Sequence, residues 1–169
     1  MSNETNLALK LVEKYIKIAR NQFGDKLLAA AVFGSLARGV AKFPISDIDV
    51  LLILEGINGL SFGKRIDLMK NAYEKLTETE EYLKFKEAFI YSPSIQEHIL
   101  TPQELKKHPP LLLDLTMEVI IFHDAGILNI ELEKLRKRLK ELGARRIETG
   151  DSWFWILKPD LKFGEELEL

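Results

Sequence analysis

Residues 47–54 read D-I-D-V-L-L-I-L, and no other stretch of the chain restricts the fold so sharply. A short apolar run ended by Glu55, Gly56, Asn58 and Gly59 is strand-sized. On a strand, side chains two apart share a face. Asp47 and Asp49 therefore project together, while Ile48, Val50, Leu52 and Leu54 point the other way, into a core. Two carboxylates side by side on an apolar strand repel each other and lose solvation. A folded chain tolerates the pair when a cation sits between them, and Mg²⁺ is the natural occupant because it takes oxygen ligands.

The residues just before the pair supply its counterpart. Residues 27–33 are wholly apolar and bounded by Lys26 and Gly34, which predicts a buried strand. Gly34 and Ser35 follow, opening a glycine-punctuated stretch over 34–44 with a helical turn after Ser35. Glycine lets backbone come close to a ligand, and serine adds a hydroxyl beside free backbone N–H groups; such starts bind phosphate. Arg38, one turn on, is placed to reach the same phosphates or to anchor the loop to a carboxylate. A phosphate cradle facing a metal-binding carboxylate pair is the equipment for nucleotidyl transfer.

The rest of the chain is mixed. Leu7, Leu11, Tyr15 and Ile18 predict a helix over 5–23, closed by Gly24, and Phe62, Ile66, Met69, Tyr73 and Leu76 mark a second. Residues 85–91 and 94–100 read as strands with Ser92 and Pro93 between them. Thr101, Pro102 and Glu104 form a capping-box helix start. Residues 111–122 are apolar and ambiguous, with helix favoured; Leu132, Leu135, Leu139 and Leu142 give a helix that stops at Gly143. Short strands are expected over 145–148 and 153–157, ahead of an acidic tail. Trp153 and Trp155 share a strand face, suited to packing or a dimer contact in the ordinary case and to base stacking in the exceptional one. Lys137, Arg138, Lys140, Arg145 and Arg146 make a basic face, read as a solvated helix surface, with nucleic-acid contact as the alternative.

Composition narrows the setting. With 24 basic and 26 acidic residues the formal charge is -2, unlike the strong basic excess of a general polyanion binder. The absence of cysteine excludes disulfides, thiolate zinc sites and cysteine nucleophiles. No apolar run approaches the roughly 18 residues of a membrane span, and residues 1–6 lack the layout of a signal peptide. The expectation is a cytoplasmic protein with no membrane partner.

The pattern G-S-x-A-R-G (Gly34, Ser35, Ala37, Arg38, Gly39) followed by S-D-x-D (Ser46, Asp47, Asp49) resembles the DNA polymerase beta-like nucleotidyltransferase superfamily, which includes kanamycin nucleotidyltransferase and the minimal nucleotidyltransferases. The tail resembles that of uncharacterised archaeal members. The resemblance implies a nucleoside triphosphate substrate, two Mg²⁺ ions (Mn²⁺ as a substitute) on Asp47 and Asp49, and a third carboxylate from a neighbouring strand. Glu97 is the only acid on residues 94–100 and is assigned as that third catalytic and metal-binding carboxylate. Alternation puts Gln96 and His98 on one face and Glu97 on the other, so a bulge near Pro93 must turn Glu97 inward for the assignment to hold. His98 reads as a strand histidine satisfied by hydrogen bonds, with metal ligation the less common use.

The expected fold is α/β (α+β): a small twisted mixed β-sheet with helices mainly on one face, carrying the site at one end of its strands. Residues 1–108 are expected to form the nucleotidyltransferase core, and 109–169 a C-terminal helical and strand extension packed on the same domain. The expected function is metal-dependent transfer of a nucleoside monophosphate from a triphosphate to an acceptor hydroxyl on RNA, protein or a small molecule, releasing pyrophosphate. The alternatives are a nucleotide-binding or regulatory module whose Gln96 marks a lost ligand, and an antitoxin-like nucleotidyltransferase partner of a HEPN-type toxin. A homodimer is also compatible with the sequence.

Overall fold

In α1 (Asn3–Phe23), Ala8, Leu11, Val12, Tyr15, Ile16 and Ala19 are buried while Lys10, Glu13 and Lys17 stay exposed, as the helical spacing predicts. The computed structural model describes residues 3–150, 152–162 and 164–169. A single 3-10 turn, Gly24–Lys26, leads into β1 (Leu27–Phe33). Its central alanines, Ala29, Ala30 and Ala31, are fully buried and small enough for helices to close in on both faces. Gly34–Ala37 forms the short α2, and β2 is Ile48–Leu54. Next come α3 (Phe62–Thr77), α4 (Glu80–Phe89), β3 (Ile95–Leu100), α5 (Pro102–Leu105) and α6 (Leu111–Leu115). The chain continues through β4 (Ile120–Asp124), α7 (Ile127–Leu142) and the strands β5 (Arg145–Thr149) and β6 (Ser152–Ile156).

The main sheet is mixed, ordered β3-β2-β1-β4, with β2 antiparallel to β1 and parallel to β3. Ala30, Val32, Val50, Leu52 and Leu54 meet α1, α3 and α4 on one face. Ala29, Ala31, Leu51 and Ile53 meet α5, α6 and α7 on the other. Helices thus cover both faces, with α1, the longest, on the first and α7, as long as α3, on the second. Because β2 is covered on both faces, it reads as a continuous apolar run rather than an alternating one. β5 and β6 form a separate antiparallel hairpin.

Two expected elements differ. Residues 85–91 are not a strand: α4 runs through Phe89. Thr79 caps that helix by accepting from the Tyr82 N–H, and Tyr82, Phe85 and Phe89 recur at helical spacing toward the core. Residues 111–122 divide into helix and strand. α6 ends at Leu115, and the β-branched run Ile120, Ile121 finds a partner in the open edge of β1. The stretch after residue 108, expected as an extension, therefore contributes a strand to the sheet itself.

One ion pair ties α3 to α5, just past the end of β3. Arg65 Nη1 and Nη2 donate to Glu104 at 2.6 and 2.7 Å, and Nη1 also reaches the Ile99 carbonyl at 2.9 Å. Glu104 simultaneously accepts from the Thr101 N–H and completes the expected capping box. The Arg65 hydrogen bond holds the Glu104 carboxyl at about 2, below its ordinary 4.5. A carboxyl depressed on folding stabilises the protein above its unfolded value, and that contribution is lost as pH falls through the folded one. Urea unfolding should show stability falling as pH drops from 4.5 toward 2, with a shallower fall in Glu104→Gln. Identical slopes in the two proteins would remove this account of the clamp.

Candidate active site

Antiparallel pairing sets Phe33, the last residue of β1, opposite Asp49 near the start of β2. The Gly34–Ser35 turn and the two aspartates consequently meet at one end of the sheet. Phe33, Gly34, Ser35, Arg38, Asp47, Asp49, Asp114 and Trp153 line a cleft there of about 340 Å³. A larger cavity of about 480 Å³ lies at the opposite end, beside Leu27 and Ala125, and contains no comparable pair of acids.

Gly34 is required where it stands. Its φ of +69° is left-handed, and a methyl group on it would collide with Asp49 Oδ2. The Asp49 carboxylate is thus pressed against bare backbone at the first turn of α2, whose leading N–H groups have no partner within the helix. The 38–47 loop is locked from inside: Ser46 Oγ accepts from the Lys42 N–H at 2.9 Å, and the Lys42 carbonyl accepts from the Ser46 N–H at 2.9 Å. Ser46 in S-D-x-D therefore fixes the approach to the acids.

Burial pushes the Asp49 carboxyl above its ordinary range, and the nearby charge of Asp47 adds to that, while His98 and Arg38 pull the other way. His98 Nε2 lies 4.0 Å from Asp49 Oδ1, and its ring meets Phe33 edge-on at 5.1 Å. Asp47 is exposed at the mouth.

Glu97 is not brought to this cleft. In the parallel pairing Asp49 sits beside Gln96 and Leu51 beside His98, whereas Glu97 pairs with Val50 on the face covered by α1. There Glu97 Oε1 accepts from the buried Tyr15 hydroxyl at 2.6 Å. Burial and the charge of Glu97 push the Tyr15 phenol far upward, so it remains a donor. β3 keeps its register with β2 from Ile95 to Leu100, so no bulge turns Glu97 inward. The position on the Asp49 face belongs to Gln96, and β3 turns no carboxylate toward the cleft.

The acid that does line the cleft beside the pair is Asp114 at the end of α6. Its Oδ1 accepts both indole N–H groups, from Trp153 at 2.8 Å and Trp155 at 3.1 Å. A lone charge inside the apolar run L-L-L-D-L was the available signal for it. Nothing in the local sequence links residue 114 to residues 47 and 49.

No group of three or more His, Asp or Glu side chains among the described residues gathers as a self-sufficient metal site. Two carboxylates with only oxygen donors nevertheless fit Mg²⁺, which usually takes one or two carboxylates and fills its remaining positions with water and substrate phosphate. Burial and the neighbouring Asp47 raise the Asp49 carboxyl despite the opposing pull of His98 and Arg38, so a cation between the two acids would stabilise both.

A family model described as a nucleotidyltransferase domain matches residues 12–149. Structural likeness extends to a Sulfolobus solfataricus protein described as a candidate nucleotidyltransferase, at 18% identity over 70% of this chain and 81% of that one, with a TM-score of 0.43. A toxin–antitoxin with AMP-PNP is similar at 16% identity, over 84% of this chain and 94% of that one, with a TM-score of 0.44. A mutant of the toxin–antitoxin MntA–HpeT is similar at 15% identity, over 76% and 88%, with a TM-score of 0.41. No curated protein matches the chain significantly.

The acid pair has a consequence for stability. Because the folded protein holds the Asp49 proton more tightly than the unfolded chain does, this residue stabilises at low pH and costs stability as pH rises through its folded pKa. In chelator at neutral pH, Asp49→Asn should therefore raise the melting midpoint, by about 2–4 °C for each kcal/mol relieved. The gain should vanish below the ordinary value of 3.8. Mg²⁺ should raise the wild-type midpoint and leave the variant's unchanged. A lower midpoint for the variant in chelator contradicts the reading.

Proposed function

The chain belongs to the nucleotidyltransferase domain family, and we propose that it moves a nucleoside monophosphate from a nucleoside triphosphate to an acceptor hydroxyl. One observation carries this reading: Asp47 and Asp49 share a single cleft with the Gly34–Ser35 turn and Arg38. In the reaction the acceptor oxygen bonds to the α-phosphorus, the bond to the α–β bridging oxygen breaks, and pyrophosphate leaves carrying that oxygen. The hydroxyl proton passes to water. Mg²⁺ held by Asp47 and Asp49 would neutralise the triphosphate and make the acceptor hydroxyl more acidic.

The chain's own residues bind and orient. The first N–H groups of α2 and the Ser35 hydroxyl receive phosphate oxygens, and the absence of a side chain at Gly34 lets those oxygens come close to Asp49. Arg38 adds a forked donor for the phosphates at the cleft wall. His98, on the Asp49 face of β3, steadies that carboxylate from behind, with Phe33 packed on its ring.

A second reading has one observation in its favour: Gln96, not an acid, stands beside Asp49. On that reading the domain binds nucleotide and regulates without turnover. Uptake of Mg-triphosphate with no release of pyrophosphate would select it.

The decisive assay offers each α-labelled triphosphate with Mg²⁺ or Mn²⁺ to a mixed pool of RNA, protein and small alcohols. A HEPN-type toxin belongs among the protein acceptors, to test the alternative of an antitoxin-like nucleotidyltransferase partner. Label should appear in one acceptor class, and Asp47→Asn or Asp49→Asn should lower transfer on the order of 100-fold or more. Glu97→Gln should retain activity within about tenfold, because that carboxyl serves Tyr15 on the opposite face. Transfer that survives Asp49→Asn, or is abolished by Glu97→Gln in a folded protein, contradicts the proposed site.

A further inference from the structure

Trp153 and Trp155 lie on one face of β6 and donate to the same Asp114 oxygen, yet they are used differently. Trp155 packs into the core beneath α7. Trp153 joins neither hydrophobic core and instead lines the cleft beside Gly34, Ser35, Asp47 and Asp49. A large aromatic ring held at a polar cleft by its one donor is an oriented surface, not filling.

Two arginines lie against that ring. Arg146 has its Cζ 5.3 Å from the ring centroid and is pinned by Glu118 at 2.8 and 3.0 Å and by Glu148 at 3.0 Å. Arg38 lies closer, its Cζ 4.5 Å from the centroid, and its side chain has no hydrogen bond or ion pair among the described residues. Its charge is nevertheless felt at Asp49. The indole thus has one arginine held by glutamates and one left without an anion of its own.

We propose that the face of Trp153 against which Arg38 lies is the seat of the nucleobase, so that the β5–β6 hairpin completes the nucleotide site. The inference rests on the nucleotidyl-transfer reading and adds the residue that recognises the base. The Arg38 guanidinium already lies over this face, so a group of that size reaches it. Phosphate binds a guanidinium through paired, charge-assisted hydrogen bonds, and these outcompete attraction to a neutral ring. A triphosphate seated at Gly34 and Ser35 draws Arg38 toward itself and opens the indole to the base carried by the same molecule. Both seats line the same cleft, so one nucleotide can reach the two together. A cleft of about 340 Å³ lies within the size range of small-ligand sites. Stacking reads the breadth of a π-face rather than a base edge, so purines bind in preference to pyrimidines.

Calorimetry in Mg²⁺ tests this with α,β-methylene-ATP, which cannot be cleaved at the reacting bond, and with inorganic tripolyphosphate, which has no base. Wild type should bind the nucleotide more tightly than tripolyphosphate. Trp153→Ala should weaken the nucleotide roughly 5- to 150-fold, the range for loss of one base–aromatic stack, and leave tripolyphosphate within about twofold. Trp153→Leu, which keeps apolar bulk in the hairpin, should match the alanine variant, and Trp153→Phe should recover most of the affinity. Equal losses on both ligands would make Trp153 a mere support for Arg38 and overturn the inference, as would a leucine variant equal to wild type. Wild type that binds tripolyphosphate as tightly as the nucleotide overturns it without any variant, leaving the phosphate site intact. Wild type that binds neither ligand overturns nucleotidyl transfer itself.

Discussion

Two carboxylates are held within each other's field where β1 ends and β2 begins, and much of the architecture follows from keeping them there. Antiparallel pairing of β1 with β2 makes the end of one strand the neighbour of the start of the other, so Phe33 faces Asp49 across the sheet. Any side chain at position 34 would push Asp49 away, and the left-handed backbone there would strain it further. Gly34 is therefore the permissive element: it lets a charged group sit against the first turn of α2 with nothing between. The internal hydrogen bonds of Lys42 and Ser46 hold the connecting loop so that Asp47 arrives beside it.

The same sheet separates two chemistries by alternation alone. On the face toward α1, Glu97 is satisfied by the Tyr15 hydroxyl beside an apolar core. On the other face, one residue away in either direction, Gln96 and His98 border the acid pair. A one-residue slip of β3 would exchange these faces. The parallel register with β2 holds over the whole strand, which is why a carboxylate so close in sequence to the cleft stays outside it.

Much of this was readable from local pattern. The apolar runs of β1 and β2, the acid pair, the Gly34–Ser35 turn and the capping box at Thr101 each carry their own geometry in a few consecutive residues. Local pattern falls short where geometry depends on distant partners. Phe85 and Phe89 are β-formers by propensity, and only the core beneath α4 makes their helical spacing decisive. Ile120 and Ile121 become a strand because β1 presents an open edge almost a hundred residues earlier in the chain. Asp114 and Trp153 reach the cleft through the packing of α6 and the hairpin, and neither position announces residue 49 as its neighbour. Glu97 is the opposite case: simple alternation along the strand already puts it on the face away from Asp49, and the unbroken register keeps it there.

Water-proton relaxation with Mn²⁺ and the nucleotide-free protein tests the central claim most directly, since a paramagnetic ion fixed on a protein relaxes its water more strongly than a free one does. If the aspartate pair is a cation seat, wild type enhances the relaxation and folded Asp49→Asn loses most of the enhancement. Equal enhancement in both proteins would place the ion elsewhere and contradict the account.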